Sequence, residues 1–186
     1  HAFDHDLLST GIDVRSSVEG EKIVILDGQE LELESGSLVI ADGNGPVALA
    51  GIIGGFDSAV TSRTINVFLE SAWFEPIALA TMARHYRLST DASKRYERGV
   101  DPLQQARAIE RATKLILDIC GGTSGPTNSV ISGKSRFTCP RIEFSPMSVN
   151  KLLGTSLDNE TICRTLENLE MVVDTSDDCW IVTPPS

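Results

Sequence analysis

Between residues 23 and 53, apolar positions fall into short runs separated by glycine turns, the pattern of antiparallel β structure. Ile23-Val24-Ile25-Leu26 and Glu30-Leu31-Glu32-Leu33 flank an Asp27-Gly28 turn, and the second run alternates apolar with polar, so the two predict a hairpin. A second pair follows, Leu38-Val39-Ile40 and Val47-Ala48-Leu49-Ala50, joined through Asp42-Gly43-Asn44-Gly45. The next run, Gly51-Ile52-Ile53-Gly54-Gly55, is apolar but punctuated by glycine, which lets another chain or a ligand approach the backbone closely. Residues 65–71 predict a further strand.

From residue 76 the period changes. Residues 76–86 predict a short helix, residues 87–101 a charged surface loop, and residues 102–119 the clearest helix of the chain. Asp101 is the expected N-cap of that last helix, Pro102 its first residue and Gly121-Gly122 its stop. Leu103, Ala106, Ile109, Ala112, Leu115, Ile116 and Ile119 line its expected apolar face.

Residues 126–137 read as a linker within a Gly/Ser/Thr-rich stretch, with one short strand expected near Val130-Ile131. Beyond it the character shifts. A strand at 141–144, a helix opened by Ser145-Pro146 and closed by Gly154, a helix capped by Ser156, and paired strands at 171–173 and 180–182 outline a small helical unit with a β ribbon. The expected organisation is α+β: a mixed or antiparallel β-rich domain with flanking helices at 1–125, the linker, and a small helix-turn-helix-like domain at 138–186. At under 50 residues the second domain is expected to lean on neighbours. A start without Met and an end just after an apolar strand suggest an excerpt of something longer.

Composition narrows the function class. At 186 residues with 41% hydrophobic content the chain reads as folded and soluble, and no apolar run approaches a membrane span. The four cysteines form no Cys-x-x-Cys pair, so no zinc or redox motif is present and a reduced, cytoplasmic setting is expected. The net charge of −10 argues against nonspecific nucleic-acid binding, yet residues 80–114 carry eight basic and four acidic residues and are locally positive. Within them, residues 87–101 combine Thr90, Asp91 and Ser93 with Lys94, Arg95 and Arg98, chemistry suited to an anionic ligand or to a solvated, salt-bridged connection.

No nucleophile elbow, P-loop or His-Glu-x-x-His motif occurs, and His1, His5 and His85 lack metal-ligand spacing. An enzyme built on these residues would orient water. Glu70 stands out, because Val67-Phe68-Leu69 precede it and Ala72-Trp73-Phe74 follow closely, and a carboxylate in such a run is costly without a partner. Two readings stand: a strand-edge Glu facing water or an Arg, or an acceptor lining a pocket whose other wall is Gly51, Gly54 and Gly55.

Eight short blocks then occur in order: His-Ala-Phe-Asp at 1–4, Leu-Asp-Gly at 26–28, Val-Ile-Ala-Asp at 39–42, Ala-Gly-Ile-Ile-Gly-Gly at 50–55, Leu-Glu-Ser-Ala at 69–72, Thr-Asp-Ala-Ser at 90–93, Arg-Tyr-Glu-Arg-Gly-Val-Asp-Pro at 95–102 and Ile-Cys-Gly-Gly at 119–122. Together they resemble the editing domain of the bacterial phenylalanyl-tRNA synthetase beta subunit, and residues 138–186 are similar to the small domain that follows it.

The resemblance implies hydrolysis of tyrosine wrongly attached to tRNA(Phe). A phenylalanine pocket rejects an added hydroxyl only about a hundredfold, so a second sieve that hydrogen-bonds the phenol is needed. By resemblance Glu70 is that acceptor, His1 lies near the scissile ester or its water, Gly51 and Gly54 shape the amino-acid pocket, and Thr90 and Ala92 form its opposite wall. Arg95 and Arg98 are the expected tRNA contacts by charge. No metal or cofactor is expected in this stretch; ATP and Mg2+ belong to the parent synthetase, whose expected assembly is an alpha2beta2 heterotetramer with the alpha subunit. Two other readings remain open: a non-catalytic tRNA-binding and subunit-scaffolding module of the same synthetase, and a free-standing aminoacyl-tRNA deacylase.

Overall fold

The computed structural model describes residues 1–132, 139–176 and 179–185. Residues 133–137 of the expected linker, and residue 138 at the expected start of the second domain, lie outside the described residues. The chain divides into two units, His1–Pro126 and Thr127–Ser186, and is α+β throughout.

The first unit is built on small antiparallel sheets. Strands β2 (Asp13–Ser16), β5 (Leu38–Asp42), β6 (Gly45–Leu49) and β7 (Ile53–Gly54) form one sheet in that order. β3 (Lys22–Val24) and β4 (Glu30–Glu32) form the expected hairpin, with Ile23 opposite Leu31. Its alternation works as the pattern requires: Ile23 and Leu31 are buried while Lys22, Glu30 and Glu32 face water. β1 (Ala2–Asp4) pairs with β8 (Val67–Leu69), joining the start of the chain to a strand more than sixty residues away. A 3₁₀ turn at His5–Leu7 follows β1, capped by the Asp4 carboxylate.

The core sits where these sheets meet the first helix. Phe3, Ile25, Ile40, Leu49, Ile52 and Leu79 are almost completely buried, each contributing roughly 1.5–3 kcal/mol by leaving water. Leu79 belongs to α1 (Pro76–His85), which also buries Met82 and Ala83. That helix ends in a Schellman motif: Leu88 N donates to the Ala83 carbonyl and Arg87 N to that of Arg84, with Arg87 at φ +55 where glycine is usual.

Residues 87–101 are not a loop throughout. Asp91–Glu97 forms helix α2, started by a capping box in which Thr90 Oγ1 accepts from Ser93 N and Ser93 Oγ accepts from Thr90 N. The long helix, α3, spans Gln105–Cys120 and ends at Gly121 with φ +73. It begins three residues later than expected because Asp101 caps a turn instead, its Oδ1 accepting from Leu103 N. No side chain of α3 is buried, and Ile119 is 79% exposed, so its apolar face is not covered as expected.

In the second unit β9 (Ile142–Phe144), β10 (Val172–Asp174) and β11 (Trp180–Thr183) form a three-stranded sheet ordered β10-β11-β9. Helices α4 (Pro146–Leu153) and α5 (Asn159–Glu167) accompany it, and Ile162, Trp180 and Val182 are buried. Gly154 closes α4 in the left-handed conformation. Asp158, not Ser156, caps α5, its carboxylate accepting from Thr161 N. The strand expected at Val130-Ile131 does not form, and Val130 is 93% exposed.

Candidate functional site

The site begins at the edge of the β1–β8 ladder. His1 N donates to the Glu70 carbonyl and Glu70 N to that of His1, both at 2.8 Å, so the two residues oppose each other one step beyond the Ala2–Leu69 pair. Opposed residues of an antiparallel pair project from one face. The His1 ring accordingly packs edge-on to buried Phe3 at 4.5 Å between centroids, and the Glu70 carboxylate lies on the same side of the ladder.

Glu70 is held in a mainly apolar setting, its side chain 19% exposed. Among the described residues its carboxylate accepts no hydrogen bond, and the backbone nitrogen of His1 lies 3.9 Å from Oε2. Burial raises its pKa above the ordinary carboxylate range. This is an acceptor with spare capacity.

The glycine run supplies a second wall. A Cβ on Gly54 would stand 2.5 Å from both Cε1 and Nε2 of His1, so the imidazole lies directly on the Gly54 backbone. Gly51, at φ +67, is covered just as closely: a Cβ there would meet Leu79 Cδ1 at 2.5 Å, Phe74 Cδ2 at 3.1 Å and Tyr96 Cδ2 at 3.3 Å. Neither position leaves room for a side chain without displacement.

Helix α2 borders this wall. Thr90 Oγ1 donates to the Ile52 carbonyl at 2.7 Å, between the two glycines. One and a half turns on, the Tyr96 hydroxyl donates to the Ala72 carbonyl at 3.0 Å, two residues past Glu70, and its ring packs on Phe74 at 5.4 Å. Burial, helped by the Glu70 charge, raises the Tyr96 phenol to about 12, so it stays a donor. Ser93 is buried on the same side, whereas Ala92, Lys94, Arg95 and Arg98 are exposed.

The structure therefore brings together His1, Glu70, Gly54, Gly51 and Thr90 through direct contacts or shared neighbours. Arg95 on the same helix, Arg98 at its C-cap and Ala92 in its first turn are all exposed. Sequence reasoning passed over Tyr96 and Phe74. The signal for Tyr96 was its spacing, since Thr90, Ser93 and Tyr96 recur every three residues between charged positions.

Two clefts of about 590 and 340 Å³ open elsewhere on the first unit, and neither is lined by His1, Glu70, Gly51, Gly54 or Thr90. Among the described residues no three His, Cys, Asp or Glu side chains converge with metal-ligand geometry, and no helix is long and apolar enough to cross a membrane.

Residues 1–121 match the family model of the B3/4 domain and residues 142–186 that of the tRNA synthetase B5 domain. The phenylalanine–tRNA ligase beta subunit of Aromatoleum aromaticum is 46% identical over 186 residues, covering 100% of this chain and 24% of that protein. The same subunit of Coxiella burnetii is 45% identical over 186 residues, again covering 100% of this chain and 24% of that protein. Among solved structures, an N-terminal fragment of the phenylalanyl-tRNA synthetase beta subunit from Pyrococcus horikoshii aligns with TM-score 0.48 and 18% identity, covering 100% of this chain and 53% of that one. The chain thus spans about a quarter of the length of the bacterial relatives it matches. It belongs to the B3/4 domain family, followed here by a tRNA synthetase B5 domain, and corresponds end to end to one stretch of the bacterial phenylalanine–tRNA ligase beta subunit.

Proposed function

We propose that the first unit is an editing site that hydrolyses the ester of tyrosine mischarged on tRNA(Phe). The observation that carries this reading is Glu70: a largely buried carboxylate on an apolar strand whose oxygens accept nothing from the described residues. A tyrosine side chain entering beside it donates its phenol to a charged acceptor, an interaction worth about 1.5–3 kcal/mol. Phenylalanine in the same place keeps water from the carboxylate and gives nothing back, so it is rejected.

The hydrolytic half of the reading rests on His1, whose imidazole is seated on Gly54 beside the acceptor. In this role it orients water toward the ester carbonyl, and positioning supplies the rate without a covalent intermediate. In this reading Arg95 on α2 and Arg98 at its C-cap, both exposed, meet the phosphates that bring the ester in. The wider setting is the cytoplasmic synthetase, an alpha2beta2 assembly in which aminoacylation with ATP and Mg2+ takes place outside this stretch.

The test is deacylation of tyrosyl-tRNA(Phe) and phenylalanyl-tRNA(Phe) by the whole beta subunit in complex with its alpha subunit, with and without Glu70→Ala. Tyrosine-selective hydrolysis that falls at least tenfold in the variant is the expected result. A wild-type complex that leaves both esters intact overturns the editing reading in favour of a scaffolding module.

A further inference from the structure

Helix α2 is only seven residues long, too short to be stable alone, yet it is fastened at both ends to the two walls of the site. Its N-terminal fastening is Thr90 Oγ1 on the Ile52 carbonyl, in the glycine wall. Its C-terminal fastening is the Tyr96 hydroxyl on the Ala72 carbonyl, in the segment that carries Glu70. Tyr96 also touches the first wall directly, because its ring edge covers Gly51 and packs on Phe74.

Tyr96 therefore contacts both walls. The Tyr96 hydroxyl supplies a hydrogen bond to the Ala72 carbonyl, just past the acceptor. We propose that Tyr96 is a positioning residue of the site: by holding the Ala72 carbonyl while its ring lies over Gly51, it fixes the distance between Glu70 and the glycine wall and so sets the fit to a phenolic ligand. This rests on the editing reading and assigns Tyr96 a role within it. The lowered acidity of the phenol agrees with the geometry, since a hydroxyl that stays protonated keeps donating.

The ring and the hydroxyl have separable tasks. Tyr96→Phe keeps the cover over Gly51 and removes only the tether, so the fold is retained. Tyr96→Leu removes both. With the tether gone the Glu70 segment samples positions too far from the wall, which weakens binding of the tyrosyl ester while leaving the hydrolytic groups in place.

The experiment is steady-state deacylation of tyrosyl-tRNA(Phe) and phenylalanyl-tRNA(Phe) by the intact alpha–beta complex carrying wild-type, Tyr96→Phe or Tyr96→Leu beta subunit, with the thermal midpoint and the aminoacylation rate as controls. For Tyr96→Phe, KM for the tyrosyl ester is expected to rise about fivefold, the equilibrium worth of one neutral hydrogen bond, with kcat within twofold and both controls unchanged. Tyr96→Leu should raise KM further. A tyrosine-active wild type whose Tyr96→Phe variant keeps the same KM and the same tyrosine preference overturns the role of Tyr96 and leaves the editing reading standing. A loss in kcat alone, or a fall in the thermal midpoint that matches the loss of activity, overturns it too. A wild type inactive on the tyrosyl ester overturns both.

Discussion

Replacing Gly54 by alanine tests the site at the point where its geometry is tightest. An alanine Cβ at this position would stand 2.5 Å from two ring atoms of His1, and ordinary contact starts near 3.4 Å, so the imidazole must retreat by about 1 Å. Nothing else resists, because the next neighbour, Leu26 Cδ1, is at 3.5 Å and Gly54 is not among the glycines with positive φ. The backbone accepts alanine, and fewer unfolded conformations even favour it by roughly 0.4–1 kcal/mol. Stability is therefore expected to change by no more than about 1 kcal/mol. Catalysis is a different matter, since a misplacement of about 1 Å costs on the order of a hundredfold. The assay is single-turnover hydrolysis of tyrosyl-tRNA(Phe) by the complex, read beside its thermal midpoint. A hundredfold slower reaction at an unchanged midpoint is expected. If the variant hydrolyses within about threefold of wild type while Glu70→Ala does not, the seat of His1 on Gly54 has no part in the chemistry.

Two further outcomes follow from neighbouring atoms. Gly51→Ala is expected to destabilise the fold by roughly 2–5 kcal/mol, adding left-handed backbone strain to a 2.5 Å clash with Leu79, and chemical denaturation reads this directly. Glu70→Gln is expected to stabilise the protein at neutral pH, because the folded state holds the Glu70 proton more tightly than the unfolded chain does. The stability tied to that proton is complete below the ordinary value of 4.5 and is lost as pH rises through the raised folded value. The advantage of the glutamine variant should therefore shrink as pH falls through the raised folded value and be gone by 4.5, and a gain that is flat with pH refutes the argument.

What could be read from the chain depended on whether the information was local. The hairpin of β3 and β4 was legible because Asp27-Gly28 fixes its turn and alternation its register. β2 was not, since Asp13-Val14-Arg15-Ser16 holds a single apolar residue and is a strand because β5 pairs with it. α2 was hidden for the opposite reason: its composition is that of a loop, and two short side chains, Thr90 and Ser93, start the helix by capping it. The pair Val130-Ile131 has strand composition, yet no ladder bond forms there. At the site, Glu70 was visible as a carboxylate out of place in an apolar run. Its proximity to His1, and the covering of Gly51 by Tyr96, arise from pairings across long stretches of chain that no window of sequence contains.

The β1–β8 pairing carries a consequence for how the site comes into being. His1 and Glu70 meet only after a loop of nearly seventy residues has closed, at an entropic cost of about 4 kcal/mol beyond a fixed constant. Two three-residue strands cannot repay that alone, so the hairpin of β3 and β4 and the pairing of β5 with β6 must assemble beforehand and bring the ends together. The pairing of the acceptor with His1 is thus expected late in folding. Amide exchange at Glu70 should then be the first protection lost when the first unit begins to open.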